Sequence, residues 1–219
     1  MNKSHRQAGF SIMEMMVAMT IMMILMGVVS LLLSRSLGVR ARESQRTDAL
    51  TSAQAALNVM SREIANAGFG ISAGMNSRLA SNGIVTADSN ASQIHFRSNI
   101  YNNGPTSTTS GVLTTDDPGE DITYFFDANS RSIVRFDPND SPQTSVVVNR
   151  ISSVTYSYFD YVGASSSGTQ TTTPTADTGR VRITVLVQLD PVAGQPNPND
   201  VQFTSEVTLR NSAYMLNQY

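Results

Sequence analysis

Residues 10–33 constrain this chain more than any other stretch. They form a run of 24 residues filled by Phe, Ile, Met, Val, Ala and Leu. Ser11, Thr20, Gly27 and Ser30 are the small or polar exceptions, and Glu14 is the sole charge. No proline interrupts the run; the first in the chain is Pro105. As a helix rising about 1.5 Å per residue, the run spans roughly 36 Å, enough to cross a hydrocarbon core of about 30 Å. A secretory signal has a shorter apolar region, about 7–15 residues, with a small-residue cleavage site after it. Here the run is longer, and the candidate small residue, Gly9, comes before it. A plain membrane anchor leaves Glu14 unexplained. A carboxylate inside an apolar span costs about 2.5–3.5 kcal/mol and marks a function or a partner.

Ahead of the run lie Lys3, Arg6 and the Gly9-Phe10 junction, followed by Ser11-Ile12-Met13 and by Glu14 as the fifth residue after the junction. This arrangement resembles the N-terminus of type IV prepilins and of the related pseudopilins of type II secretion. The resemblance implies that residues 1–9 are a leader, removed after Gly9 on the cytoplasmic side by a prepilin peptidase, and that the new terminal Phe10 is N-methylated. It implies a bacterial inner-membrane protein with a single pass and a periplasmic domain, which later enters a pilus or pseudopilus. Other major and minor pilins or pseudopilins, an inner-membrane assembly platform and membrane lipid are the implied partners. Glu14 takes the role of an assembly residue, paired with the terminal ammonium of a neighbouring subunit already in the filament.

Nothing forbids one continuous helix from Phe10 to about Ala67. Its second half, residues 34–68, has a different pattern. Leu50, Ala53, Leu57, Met60, Ile64 and Ala67 recur at spacings of three and four, an amphipathic stripe suited to packing on a domain. Gly68 and Gly70 supply a stop signal. Between the two apolar parts, Arg35, Arg40, Arg42 and Arg46 stand with Glu43 and Asp48. These arginines fit the expected orientation poorly, since the positive-inside preference would weigh them against only Lys3 and Arg6. The methionines of residues 13–26 suit adaptable packing against lipid and varied helices better than a soft metal site.

From residue 71 the period drops toward two, and short runs separated by Gly, Asn, Asp, Ser and Pro predict strands. The runs are 83–87, 93–97, 121–126, 132–136, 145–148, 154–161, 180–189 and 201–210. Asp127–Ser130 reads as a hairpin loop. Val181, Ile183, Val185, Val187 and Leu189 alternate with polar neighbours, as do Val201, Phe203, Val207 and Leu209, which predicts a long antiparallel pair with one buried face. Residues 99–119 and 163–179 are low in apolar content and are expected to be exposed loops, the second of them mobile. The fold class is therefore α+β: a long N-terminal helix packed on an antiparallel β-sheet domain of residues 71–219. The helix end Ser61–Gly70 and the order of aromatic and Val-rich strands are similar to PilW-type minor pilins and to the J-type pseudopilin.

Composition narrows the chemistry. There is no cysteine, which excludes disulfides, thiolate catalysis and Cys-ligated metals. Residues 71–219 hold 8 Arg against 13 Asp and Glu, a net of −5, so no specific nucleic-acid site is indicated. The two histidines are His5, in the leader, and His95. No nucleophile elbow or phosphate loop is present, and no catalytic role is assigned. No cofactor is assigned either. The acidic turn with Asp116, Asp117, Glu120 and Asp121 is a weak calcium candidate beside an ordinary solvated turn, because its spacing matches no EF-hand loop. The expected function is that of a minor type IV pilin that enters or primes a pilus. The alternatives are a J-type pseudopilin and a membrane-anchored binding module or adhesin that never assembles.

Overall fold

The computed structural model describes residues 9–71, 82–101, 115–162, 167–189, 191 and 200–216. One helix, α1 (Ile12–Ala65), runs through residues 10–33 and on through the amphipathic stripe. The described residues form two compact units: α1 up to Gln45, with Pro191, and a second unit that begins at Arg46.

In the first unit every large apolar side chain from Phe10 to Val39 is exposed. The second unit holds the rest of α1 and two four-stranded antiparallel sheets. Sheet one has the order β1 (Gln93–Arg97), β2 (Asp121–Asp127), β3 (Ser132–Phe136), β4 (Thr144–Val148). Sheet two places β6 (Thr169–Thr171), β5 (Ile151–Asp160), β7 (Thr178–Val187) and β8 (Val201–Thr208) side by side. A one-turn helix, α2 (Ala213–Leu216), follows.

One core joins these elements. Ala53, Ala56, Leu57, Met60, Ile64 and Ala67 of the helical stripe pack with Ile94, Phe96, Ile122 and Tyr124 of sheet one. From sheet two come Val154, Tyr156, Tyr158, Val181, Ile183 and Val185. The apolar spacing of three and four therefore does the work of a core face, as an amphipathic helix requires. Leu50 is the exception: it is exposed at the margin of the stripe, while Ala49 and Ala56 take up the contact.

Gly68 ends the helix in the left-handed region, at φ 78°, and its N–H donates to Arg97 O at 2.8 Å. Gly83, also left-handed at φ 73°, lies so close that a Cβ there would stand 1.9 Å from Gly68 N. The helix end and the entry to β1 are thus sealed backbone to backbone.

The hairpin at Asp127–Ser130 forms as the sequence predicts, with β2 and β3 antiparallel. Asp127 accepts from the Ser130 hydroxyl and then from the Asn129 and Ser130 amides, which together hold its carboxyl below the usual range. β7 and β8 pair antiparallel from Arg180↔Thr208 to Val187↔Val201, and β7 buries alternate residues along its length.

Two expectations need revision. Residues 83–87 do not form a strand. Ile84 makes a single bridge to Phe96, and residues 86–88 turn at once, because the positive φ at Gly83 and the turn leave no room for a ladder. Within 163–179, residues 169–171 form β6 against β5, and Pro174 and Thr178 are buried. Polar bonds rather than apolar area order this stretch: Thr178 Oγ1 donates to Asp160 at 2.6 Å, and Asn82 Nδ2 donates to Thr175 O at 2.8 Å. The expected antiparallel β domain is present, its strands divided between two sheets. Most of the expected loop 99–119, residues 102–114, lies outside the described residues.

Candidate functional site

The start of α1 is built by its own first turn. Ser11 is the N-cap: its Oγ accepts from Met13 N–H at 3.3 Å, and its carbonyl accepts from Met15 N–H at 3.1 Å. Glu14, three residues on, reaches back, and its Oε2 accepts from Ser11 N–H at 3.1 Å. This is a capping box, two donors satisfied reciprocally. The carboxylate also lies at the positive end of the helix dipole. The spacing Ser11-Ile-Met-Glu14 encodes this cap, in addition to the charge that Glu14 places in the apolar span.

Phe10, Met13, Glu14, Val17, Ala18 and Ile21 line one shallow groove along this face, apolar apart from the carboxylate. Phe10 is 89% exposed and Gly9 is exposed beside it. Thr20, the next polar residue, turns its hydroxyl back to Val17 O at 2.8 Å and Met16 O at 3.2 Å. It therefore offers no free donor to an apolar surrounding. The helix is long and apolar enough to cross a membrane. Glu14 is left as the one carboxylate among uncovered apolar side chains, with one of its oxygens holding the helix start.

Residues 4–30 match the prokaryotic N-terminal methylation motif. No curated protein and no solved structure matches the chain. The motif supports a type IV pilin-like or pseudopilin-like protein, a structural class of protein. It implies processing by a prepilin peptidase and association with other pilins. With the apolar helix, it is consistent with membrane anchoring and pilus incorporation.

In the acidic turn of sheet one, Glu120 and Asp121 have protein partners. Glu120 is buried and accepts from the Tyr101 amide at 3.0 Å and the Asp117 amide at 3.3 Å. Asp121 pairs with His95 Nε2 at 2.5 Å and Arg97 Nε at 3.0 Å. His95 in turn meets Asp88 at 3.0 Å and is held between two carboxylates. Asp116 is exposed. Among the described residues no three such side chains are placed to hold one metal ion. Glu120 and Asp121 thus serve as caps and pairs for neighbouring backbone and strands.

A second network escaped the sequence reading. Glu63, on the last turn of α1, accepts from Tyr124 Oη at 2.5 Å and from Arg135 Nε at 3.2 Å. Arg135 also donates to Asp137 at 3.2 Å, and the fully buried Asp137 caps the Gly119 amide at 2.6 Å. Burial opposes the Arg135 charge, but Glu63, Tyr124 and Asp137 outweigh it and hold its pKa above the usual range. Burial, then the neighbouring Glu63 carboxylate, raise the Tyr124 phenol far above its ordinary value. This network fixes the helix to β2 and β3. It exposes no nucleophile and reads as structural.

Proposed function

We propose that this chain is a minor type IV pilin of the PilW kind, acting by assembly rather than turnover. In this reading the peptidase cuts between Gly9 and Phe10, Phe10 becomes the methylated N-terminus, and α1 enters or primes a pilus. The observation that carries the reading is the uncovered apolar half of α1 headed by the methylation motif, with Glu14 as its single charge. Such a surface is stable only in lipid or among other apolar helices.

Glu14 then has two duties. It closes the capping box at the helix start, and it supplies the charge that pairs with the terminal ammonium of a neighbouring subunit. A carboxylate in an apolar setting needs such a partner, and an unmatched charge costs several kcal/mol. Two variants separate the duties. Glu14→Gln keeps the acceptor of the capping box and loses the charge; Glu14→Ala loses both. Both variants are expected to be processed to Phe10 by the prepilin peptidase, read by mass spectrometry, and to enter filaments at least tenfold less than the parent. Incorporation of Glu14→Gln at the parental level would reduce Glu14 to a helix cap and remove the ammonium pairing.

A J-type pseudopilin of type II secretion would use the same helix. Co-purification with minor pilins on one side, or with secretion subunits on the other, separates the two. A membrane-anchored module that never assembles would survive in the membrane as an uncut precursor.

A further inference from the structure

The apolar run ends at Leu33, and α1 continues without a break through Arg35, Arg40 and Arg42. No acid lies between Arg35 and Arg42, and no lysine occurs there. Among the described residues these three guanidinium groups form no ion pair. Arg35 and Arg40 are exposed, and Leu37 and Val39 are exposed between them. The segment therefore presents basic and apolar side chains together, the mixture that suits the boundary between acyl chains and headgroups.

We propose that Arg35, Arg40 and Arg42 form a collar that binds the phosphates of anionic phospholipids where α1 leaves the bilayer. The proposal rests on residues 10–33 spanning the membrane. Two geometric features favour lipid as the occupant. The first is distance. At about 1.5 Å per residue the three Cα atoms lie roughly 3, 10 and 14 Å past Leu33 along the helix. The polar layer beyond the hydrocarbon is about 5–8 Å deep. Helical side chains tilt toward the N-terminus, here toward the apolar end, so long arginines lean back into that layer. Arg46, roughly 20 Å out, is beyond it. The second is direction. At 3.6 residues per turn Arg35 and Arg42 share a face, while Arg40 lies about 140° away. A partner helix covers one face; a bilayer surrounds the helix. The guanidinium fork also matches phosphate oxygens bidentately, which an ammonium does not. The collar gives a reason for the arginines that the positive-inside preference leaves unexplained.

The test uses the full chain reconstituted in phosphatidylcholine bilayers carrying a trace of spin-labelled phosphatidylglycerol or spin-labelled phosphatidylcholine. Electron paramagnetic resonance reads the motionally restricted fraction of each label. The anionic label is expected to be restricted at least severalfold more than the zwitterionic one, since each surface arginine contributes up to about fivefold. The triple variant R35Q/R40Q/R42Q is expected to bring the ratio to one, its lysine counterpart to restore part of it, and R46Q to leave it unchanged. Circular dichroism of each variant confirms the fold. Equal restriction of both labels by the parent chain overturns the collar. Restriction of neither label overturns the membrane span, and the collar with it. A ratio of one in the parent chain, together with loss of partner-pilin co-purification in the triple variant, assigns the arginines to protein and overturns the lipid.

Discussion

The two halves of α1 meet opposite fates although one hydrogen-bonded helix contains both. From Ile12 to Leu33 every large apolar side chain is exposed. From Ala53 to Ile64 the apolar residues Ala53, Ala56, Leu57, Met60 and Ile64 are buried. The first half is apolar all round and has no domain of its own; the second is apolar on one stripe and carries one. A helix hydrophobic on every side must be covered by lipid or by other helices, whereas a striped helix is satisfied by its own sheets. Stability of the fold therefore resides in the second half, and the capacity to associate in the first.

The largest expected effect is on the ion network that ties the second half to sheet one. Arg135→Met leaves Glu63 and the buried Asp137 without their shared cation and is expected to cost about 3–5 kcal/mol. Thermal unfolding of the full chain in detergent reads it. Next, Met60→Ala should cost about 2–5 kcal/mol through lost burial and a cavity. Met22→Ala, in the exposed half, should shift domain unfolding by less than about 0.5 kcal/mol. Comparable losses from both methionine variants would erase the distinction between the halves.

Alkaline pH probes the same contrast. Burial raises the phenols of Tyr124, Tyr156 and Tyr158 well above their ordinary value, and all three belong to the domain core. The unfolded phenols ionise near 10 and the folded ones higher, so their stabilisation is full below about pH 10 and is lost as pH rises above it. Residues 10–33 contain no tyrosine. Circular dichroism should show the β signal collapsing together with a cooperative rise in phenolate absorbance, while part of the helical signal persists. Tyr156→Phe should move the collapse upward, since its hydroxyl is buried without a partner among the described residues. Smallest is Ser11→Ala, expected to cost about 1 kcal/mol at the helix start. It should speed hydrogen exchange of the first-turn amides, such as that of Met13, and leave domain unfolding unchanged.

Local patterns made much of this legible in sequence. The alternation of Val181 to Val187 appears as β7, the Asp127 turn as a hairpin, and the stripe from Ala53 to Ala67 as the core face. Where the sequence reading failed, the cause was a bond between distant residues. Thr178 is ordered by Asp160 and Asn82, and Glu63 finds Tyr124 61 residues away and Arg135 72 residues away. No periodicity reports such pairings. At the candidate site the methylation motif was legible in full. The capping role of Glu14 is encoded in the same stretch, in the Ser11-x-x-Glu14 spacing.

The sealed end of α1 bears on how force would pass through an assembled subunit. Gly68 N–H bonds to Arg97 at the edge of sheet one, while Ala65 O accepts from Arg210 and Ala67 O from Asn211, just beyond sheet two. Tension applied along the helix would reach both sheets in parallel. It would load several hydrogen bonds at once instead of one strand at a time. A subunit wired in this way would bear a pull on its helix without first unravelling its domain.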